Sequence, residues 1–158
     1  MNFSIQTQQQ SQWCWAACVV SINLFYNPSS GWTQCLLANA VFSQTDCCTN
    51  GGSAACNRPN HLAPALQITG NYDHTLQGKA ALDPITREIR NCRPIGVTIA
   101  WDGGGAHAVV IYGYKYELLG AKIYIADPFY GNSLLRYSSF PANYQGGATW
   151  TITDFTKP

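Results

Sequence analysis

Charge is scarce in this chain. Only 11% of its 158 residues are Asp, Glu, Lys or Arg, against about 25% in an average soluble domain. Nine basic residues nearly cancel eight acidic ones, for a formal net charge of +1. Nothing in that balance builds the positive field that a phosphate backbone requires, which argues against nucleic acid as a partner. Long apolar runs are absent too: no stretch approaches the ~18 to 20 residues that span a bilayer, so no membrane span is expected. The N-terminus, Met1-Asn2-Phe3-Ser4-Ile5-Gln6, has neither the basic start nor the apolar core of a signal peptide. There is no internal repeat, no low-complexity linker and no Cys-x2-Cys pair.

Hydrophobic residues, at 46%, are enough for a real core, and the length suits one domain. Polarity comes from Gln, Asn, Ser, Thr and Tyr rather than from ions, a surface more typical of secreted proteins. Seven cysteines point the same way. One nucleophile plus three disulfides uses all seven. Cys35, Cys47, Cys48 and Cys56 fall in one polar segment rich in Gly and Asn, where cross-links can fix a loop with little core of its own. A Cys47–Cys48 bridge between neighbours would be strained, so each is expected to pair outward with Cys35 or Cys56, in either combination. Cys18 is either a core cysteine or the partner of Cys92, and the second reading is preferred because it uses all seven. A zinc site from these cysteines and His61 is disfavoured, because adjacent ligands are poorly spaced for a tetrahedron. If disulfides form, this is a mature or trimmed chain, or a domain of a longer exported one.

The remaining cysteine, Cys14, stands at a change of pattern. Polar residues Gln8-Gln9-Gln10-Ser11-Gln12 lead up to it, and from Trp15 to Tyr26 the chain is apolar nearly all round. That is a buried helix, ended by Pro28 and the Ser29-Ser30-Gly31 run. The first turn of a helix carries unpaired amides and the positive end of the macrodipole, which favour an anion. A thiol mounted there is poised to act as a thiolate nucleophile.

Cys14-Trp15-Ala16 resembles the Cys-Trp-Ala that begins the central helix of papain-like cysteine peptidases. In that family a glutamine six positions earlier donates to the oxyanion, and 14 − 6 = 8 is Gln8. The longer Gln-x4-Trp-Cys-Trp-Ala-Ala string is most similar to the compact bacterial branch of the clan, which includes secreted avirulence effector proteases. Two features depart from papain itself. The Cys-Gly-Ser-Cys-Trp context is missing, and the candidate histidine lies 107 − 14 = 93 residues on rather than roughly 130 to 150. Papain's substrate pockets therefore do not carry over.

Further along, residues 32–42 read as a second helix, and Asn60 as the cap of a third that Gly70 ends. Asp83-Pro84 reads as the cap and first position of a fourth helix, which Pro94 stops. The period then changes. Residues 95–101, 106–114, 121–126, 133–137 and 148–153 are short, rich in β-branched and aromatic residues, and punctuated by Gly, Asn, Asp and Pro. A helical lobe over about 1–93 followed by an antiparallel β lobe over about 94–158 makes one α+β domain. It matches the two-lobed papain-like fold that the resemblance implies.

Cysteine catalysis needs a base and a group that orients it. His107 is the candidate base: it follows Gly103-Gly104-Gly105-Ala106 and begins the strand Ala108-Val109-Val110-Ile111. Asp127 is the candidate orienting group, closing Ile123-Tyr124-Ile125-Ala126-Asp127. If the two strands form a hairpin centred near Glu117-Leu118, opposed residues sum to 234, and 107 + 127 = 234. Opposed side chains on one face lie within hydrogen-bonding reach, whereas a one-residue slip would separate them. His61 and His74 have no comparable setting. Trp13, Trp15 and Trp150 read as core or cleft wall, one of them a shield for the His107–Asp127 bond.

The sequence thus predicts a papain-like thiol hydrolase that cleaves peptide bonds. Cys14 attacks, His107 shuttles the proton, Asp127 orients His107, and Gln8 with the Cys14 amide forms the oxyanion hole. No cofactor and no metal are implied. The expected partner is a protein or peptide substrate, with a cognate inhibitor or immunity protein as a further candidate, and the expected location is outside the producing cell or inside a target cell. An acyl transferase with the same triad and a non-catalytic binding or toxin module are the alternatives.

Overall fold

The computed structural model describes residues 1–158. It has four helices, α1 (Cys14–Tyr26), α2 (Gln34–Phe42), α3 (Leu62–Thr69) and α4 (Leu82–Arg90). Six strands complete it: β1 (Tyr72–Gln77), β2 (Ile95–Trp101), β3 (Ala106–Glu117), β4 (Gly120–Asp127), β5 (Gly131–Arg136) and β6 (Ala148–Thr156). The strands form one antiparallel sheet in the order β1-β6-β2-β3-β4-β5. This is the α+β arrangement expected, with helices first and the sheet mainly after them.

The sheet separates two cores. On one side α1 is buried from Trp15 to Asn23 and packs with α2, α3 and the sheet residues Ala108, Val110 and Ala126. On the other side Ile85 and Ile89 of α4 meet Ile95, Val97, Ile99, Val109, Ile111, Ile123 and Ile125. A strand covered on both faces needs an unbroken apolar run rather than alternation, and β3 is buried throughout from His107 to Ile111. Close approach is reserved for glycine: a Cβ at Gly96 would sit 2.7 Å from Leu62 Cδ1, where α3 rests on β2.

Several boundaries differ from the sequence reading. Thr33 caps α2 by accepting from Leu36 N, but α3 starts one residue after His61 and takes no side-chain cap from Asn60. Asp83 and Pro84 lie inside the first turn of α4 rather than at its cap. Strand β1 has no alternating pattern to reveal it. It is an edge strand fastened to β6, with the His74 ring stacked 4.4 Å from that of Phe155. The sheet therefore begins before residue 93.

Cysteine pairing needs one correction. Cys35–Cys48 and Cys47–Cys56 are disulfides, whereas Cys14, Cys18 and Cys92 are free thiols. Cys18 does not pair with Cys92 because the sheet stands between them. Cys18 is buried in the α1 core, its thiol donating to the Ala108 carbonyl at 3.4 Å, while Cys92 is exposed at the end of α4, which packs on the opposite face.

Candidate active site

Cys14 is the first residue of α1, and the residue before it supplies no side-chain cap. The helix start is braced by the disulfide loop. Trp13 Nε1 donates to the Cys56 carbonyl at 2.8 Å, Trp15 Nε1 to the Arg58 carbonyl at 3.0 Å, and the Gln12 amide to Asn57 Oδ1 at 2.9 Å. A Cβ at Gly51 would meet the Cys47 carbonyl and Gln10 Nε2, each at 2.9 Å, so the loop closes tightly against the approach to Cys14. Upstream, the Gln8 amide donates to the Pro128 carbonyl at 3.0 Å, tying this approach to the chain just past Asp127. Trp13 and Trp15 thus belong to the brace, and Trp150 to the core on the far face.

His107 enters from the second position of β3, after a β2–β3 turn in which Gly104 and Gly105 adopt φ of 95° and 86°. Side chains rarely tolerate that backbone. Asp127 closes β4 and is 1% exposed. The two meet, with His107 Nε2 2.9 Å from Asp127 Oδ1, but they are not directly opposed as the sequence reading had it. At the turn Glu117 pairs with Gly120, a sum of 237, and a bulge between Ile111 and Gly113 changes the sum to 236 at Val110–Ala126. Extended to the end of β4, that register sets Asp127 beside Val109, one diagonal step from His107 on the same face. An uninterrupted ladder of sum 237 would have put the two on opposite faces. The bulge takes up one extra residue of β3, Tyr112, and so restores the shared face.

Asp127 is held on all sides. Its Oδ1 also accepts the amides of Phe129 at 2.7 Å and Tyr130 at 2.9 Å, while Oδ2 accepts the Tyr144 hydroxyl at 2.8 Å. Burial alone would raise its pKa. The His107 hydrogen bond and charge, with the two amides, reverse that and lower it. For His107, burial works against the imidazolium, but hydrogen bonds to Asp127 and Cys14, and the charges of both, overcome it and push its pKa from 6.5 up to about 9. With Nε2 given to Asp127, Nδ1 is the ring nitrogen left for Cys14. Tyr144, bonded to a carboxylate in a buried setting, has its own pKa raised.

The ring that covers His107 is Trp101, stacked at 5.6 Å and 22°, not Trp13, Trp15 or Trp150. Tyr144 stacks on Trp101 in turn, at 6.2 Å and 19°, and Tyr130 meets His107 edge-on at 6.2 Å. Trp101 could have been found from the strands: Ile99 opposes His107, so the residue two further along β2 shares its face. Tyr144 comes from the segment between β5 and β6 and left no local signal.

Cys14 and His107 open into a cavity of about 550 Å3, whose wall includes Gln8, Trp101, Phe129 and Tyr130. Gln8 Nε2 donates to the carbonyls of Gln10 at 2.9 Å and Ser11 at 3.0 Å, while its Oε1 is buried without a partner. This is a side chain with its donors turned inward. His61 and His74 lie outside the cavity wall.

Residues 1–145 match the sequence profile of a family described as papain-like cysteine protease AvrRpt2. The chain belongs to that family. This AvrRpt2-family protein is accordingly a papain-like cysteine peptidase. Solved structures carry the same fold. One, from work on the mite allergens Blo t 1 and Der p 1, superposes with a TM-score of 0.61 at 11% identity, covering 98% of this chain and 67% of the other. Another is a double-glycine-motif protease of an AMS/PCAT transporter, solved with a leader peptide; it gives a TM-score of 0.55 at 17% identity, over 99% and 93% of the two chains. No curated protein matches in sequence. Within the AvrRpt2-family protein, no helix is long and apolar enough to cross a membrane.

Proposed function

We propose that this peptidase is an endopeptidase working through a Cys14–His107–Asp127 triad. The observation that carries the reading is the buried 2.9 Å bond between His107 and Asp127, with His107 and Cys14 lining one cavity. The Cys14 thiolate adds to the scissile carbonyl, and the imidazolium gives its proton to the departing amine, leaving an acyl-enzyme. His107 then takes a proton from water, whose oxygen displaces the thiolate and releases the acid. Asp127 keeps the imidazole aimed at Cys14, and Tyr144 with the Phe129 and Tyr130 amides keeps Asp127 in place.

The oxyanion hole is the Cys14 amide with Gln8. Because both Gln8 donors are engaged, one of the bonds to Gln10 or Ser11 is exchanged for the oxyanion as substrate binds. The transition state then gains a donor that the free enzyme holds elsewhere. Membership of an effector protease family, together with two disulfides, supports a protein exported by its producer and acting on proteins of another cell.

The test is digestion of unfolded casein by the whole chain and by Cys14→Ala, with product termini read by mass spectrometry in the presence and absence of an added amine. Hydrolysed termini that vanish in Cys14→Ala are expected. Amine-capped termini throughout would make the enzyme a transferase, and cleavage surviving Cys14→Ala would remove Cys14 from the chemistry.

A further inference from the structure

The end of the sheet remote from the cavity is built unlike the rest of the surface. At the β3–β4 turn Leu118 is 101% exposed and Leu119 73%, with Tyr116 57% exposed just before them. Lys115 opposes Lys122 across β3 and β4, and Lys122 opposes Arg136 across β4 and β5. Three cations therefore stand in one cross-strand row on one face. Like charges directly opposed in a sheet are destabilising, and Glu117, bonded to Lys115 at 3.1 Å and Lys122 at 2.8 Å, offsets only one of them. Arg136 Nη1 donates to the Leu119 carbonyl at 2.9 Å, coupling the basic row to the apolar turn. Neither feature helps the chain fold, and in a protein with so few charges their coincidence is informative.

The geometry points to a docking tip for an anionic lipid surface, with Leu118 and Leu119 entering the headgroup region and Lys115, Lys122 and Arg136 lying against the phosphates. Charge complementarity supplies the first argument: the row carries three positive charges against one negative, and juxtamembrane Lys and Arg are drawn to anionic leaflets. Shape and area supply the second. Leu118 to Gly120 are all exposed at the point of a turn, and two leucines and a tyrosine present on the order of a few hundred Å2. That is well short of the ~800 Å2 each partner buries in a specific protein complex, but it suits shallow insertion among headgroups. Tyrosine is at home at that depth.

His107 sits near the opposite end of β3, roughly 35 Å away at about 3.3 Å per residue. The docked enzyme would hold its cavity clear of the lipid and facing the aqueous side.

Vesicle sedimentation of the whole chain tests this, using phosphatidylcholine alone and phosphatidylcholine with about one third phosphatidylserine. Binding to the anionic vesicles is expected to drop at least about tenfold in Leu118→Ser/Leu119→Ser, in Lys115→Gln/Lys122→Gln, and in roughly 0.5 M salt. Casein cleavage and the thermal midpoint should stay as in the parent, which excludes misfolding. Absence of binding to the anionic vesicles, or binding that ignores both variants, overturns the assignment. So does a concentration-dependent dimer in ultracentrifugation that only the leucine variant dissolves, without vesicle binding; the tip would then belong to a second copy of the chain.

Discussion

Asp127→Asn separates the geometric role of Asp127 from its charge. The carboxylate meets four donors, three at Oδ1 and the Tyr144 hydroxyl at Oδ2. An asparagine fits one way round, with its oxygen among the three donors and its NH2 toward Tyr144, whose oxygen can rotate to accept. Position survives and charge does not. Since His107 stands near 9 through Asp127 and Cys14 acting against burial, losing the Asp127 charge should return it toward the ordinary 6.5. That is a displacement on the order of two pH units, or roughly 3 kcal/mol at about 1.4 kcal/mol per unit. The alkaline limb of casein cleavage, set by loss of the imidazolium, should move acidward by that amount, with activity near pH 6 retained within about tenfold. Titration of the His107 Cε1 proton by NMR gives the same number without a substrate. In Asp127→Ala the two amides, the imidazole N–H and the Tyr144 hydroxyl lose their acceptor together, at about 1 to 3 kcal/mol for each donor left dry, so activity and melting temperature should both collapse. A limb that stays in place in Asp127→Asn, with His107 still titrating near 9, would refute this account of the site.

Stability should follow the same two groups. The raised His107 pKa contributes fully below 6.5 and is lost as pH rises through about 9, while the lowered Asp127 pKa contributes above 3.8 and is lost as pH falls through its folded value. A melting temperature that peaks between those limits, and flattens in Asp127→Asn, is the expected scan. Tyr144→Phe keeps the stack on Trp101 but removes a donor from Asp127, so the carboxylate becomes more basic and the His107 titration should move alkaline; an unmoved titration would leave Tyr144 as mere packing. Denatured, unreduced protein should show three free thiols by Ellman titration, and native alkylation should mark Cys14 and Cys92 while sparing buried Cys18, whose thiol pKa is raised by burial. Each bridge closes a loop of sequence separation 13 or 9, so opening one should cost roughly 2.5 to 3 kcal/mol in a denaturant titration under the chain-entropy argument.

The legible parts of the fold were those whose period is set by burial. The buried helix α1 and the strand β2 read directly, because continuous apolar stretches of those lengths have few alternatives. Strand β1 did not, since an exposed edge needs no alternation, and its partner β6 lies some 70 residues later. His107 and Asp127 were legible through parity, although the register was two residues out: an even error keeps the face and an odd one loses it. The Cys18–Cys92 pairing failed because counting cysteines carries no information about which side of a sheet each occupies. Tyr144 and the inward-turned donors of Gln8 were out of reach, because loop conformation decides both.

The bulge at Tyr112 makes the β3–β4 hairpin a counting device. Deleting Tyr112 would join Ile111 to Gly113 and leave an unbroken ladder with the same partners, Gly113 opposite Tyr124 and Ile111 opposite Ile125, so the tight turn and the shared face of His107 and Asp127 would both survive. A residue removed from β4 between Tyr124 and Asp127 has no such slack, and parity would carry Asp127 to the α1 side of the sheet. The bulge is thus the place where this hairpin can lose a residue without separating the pair.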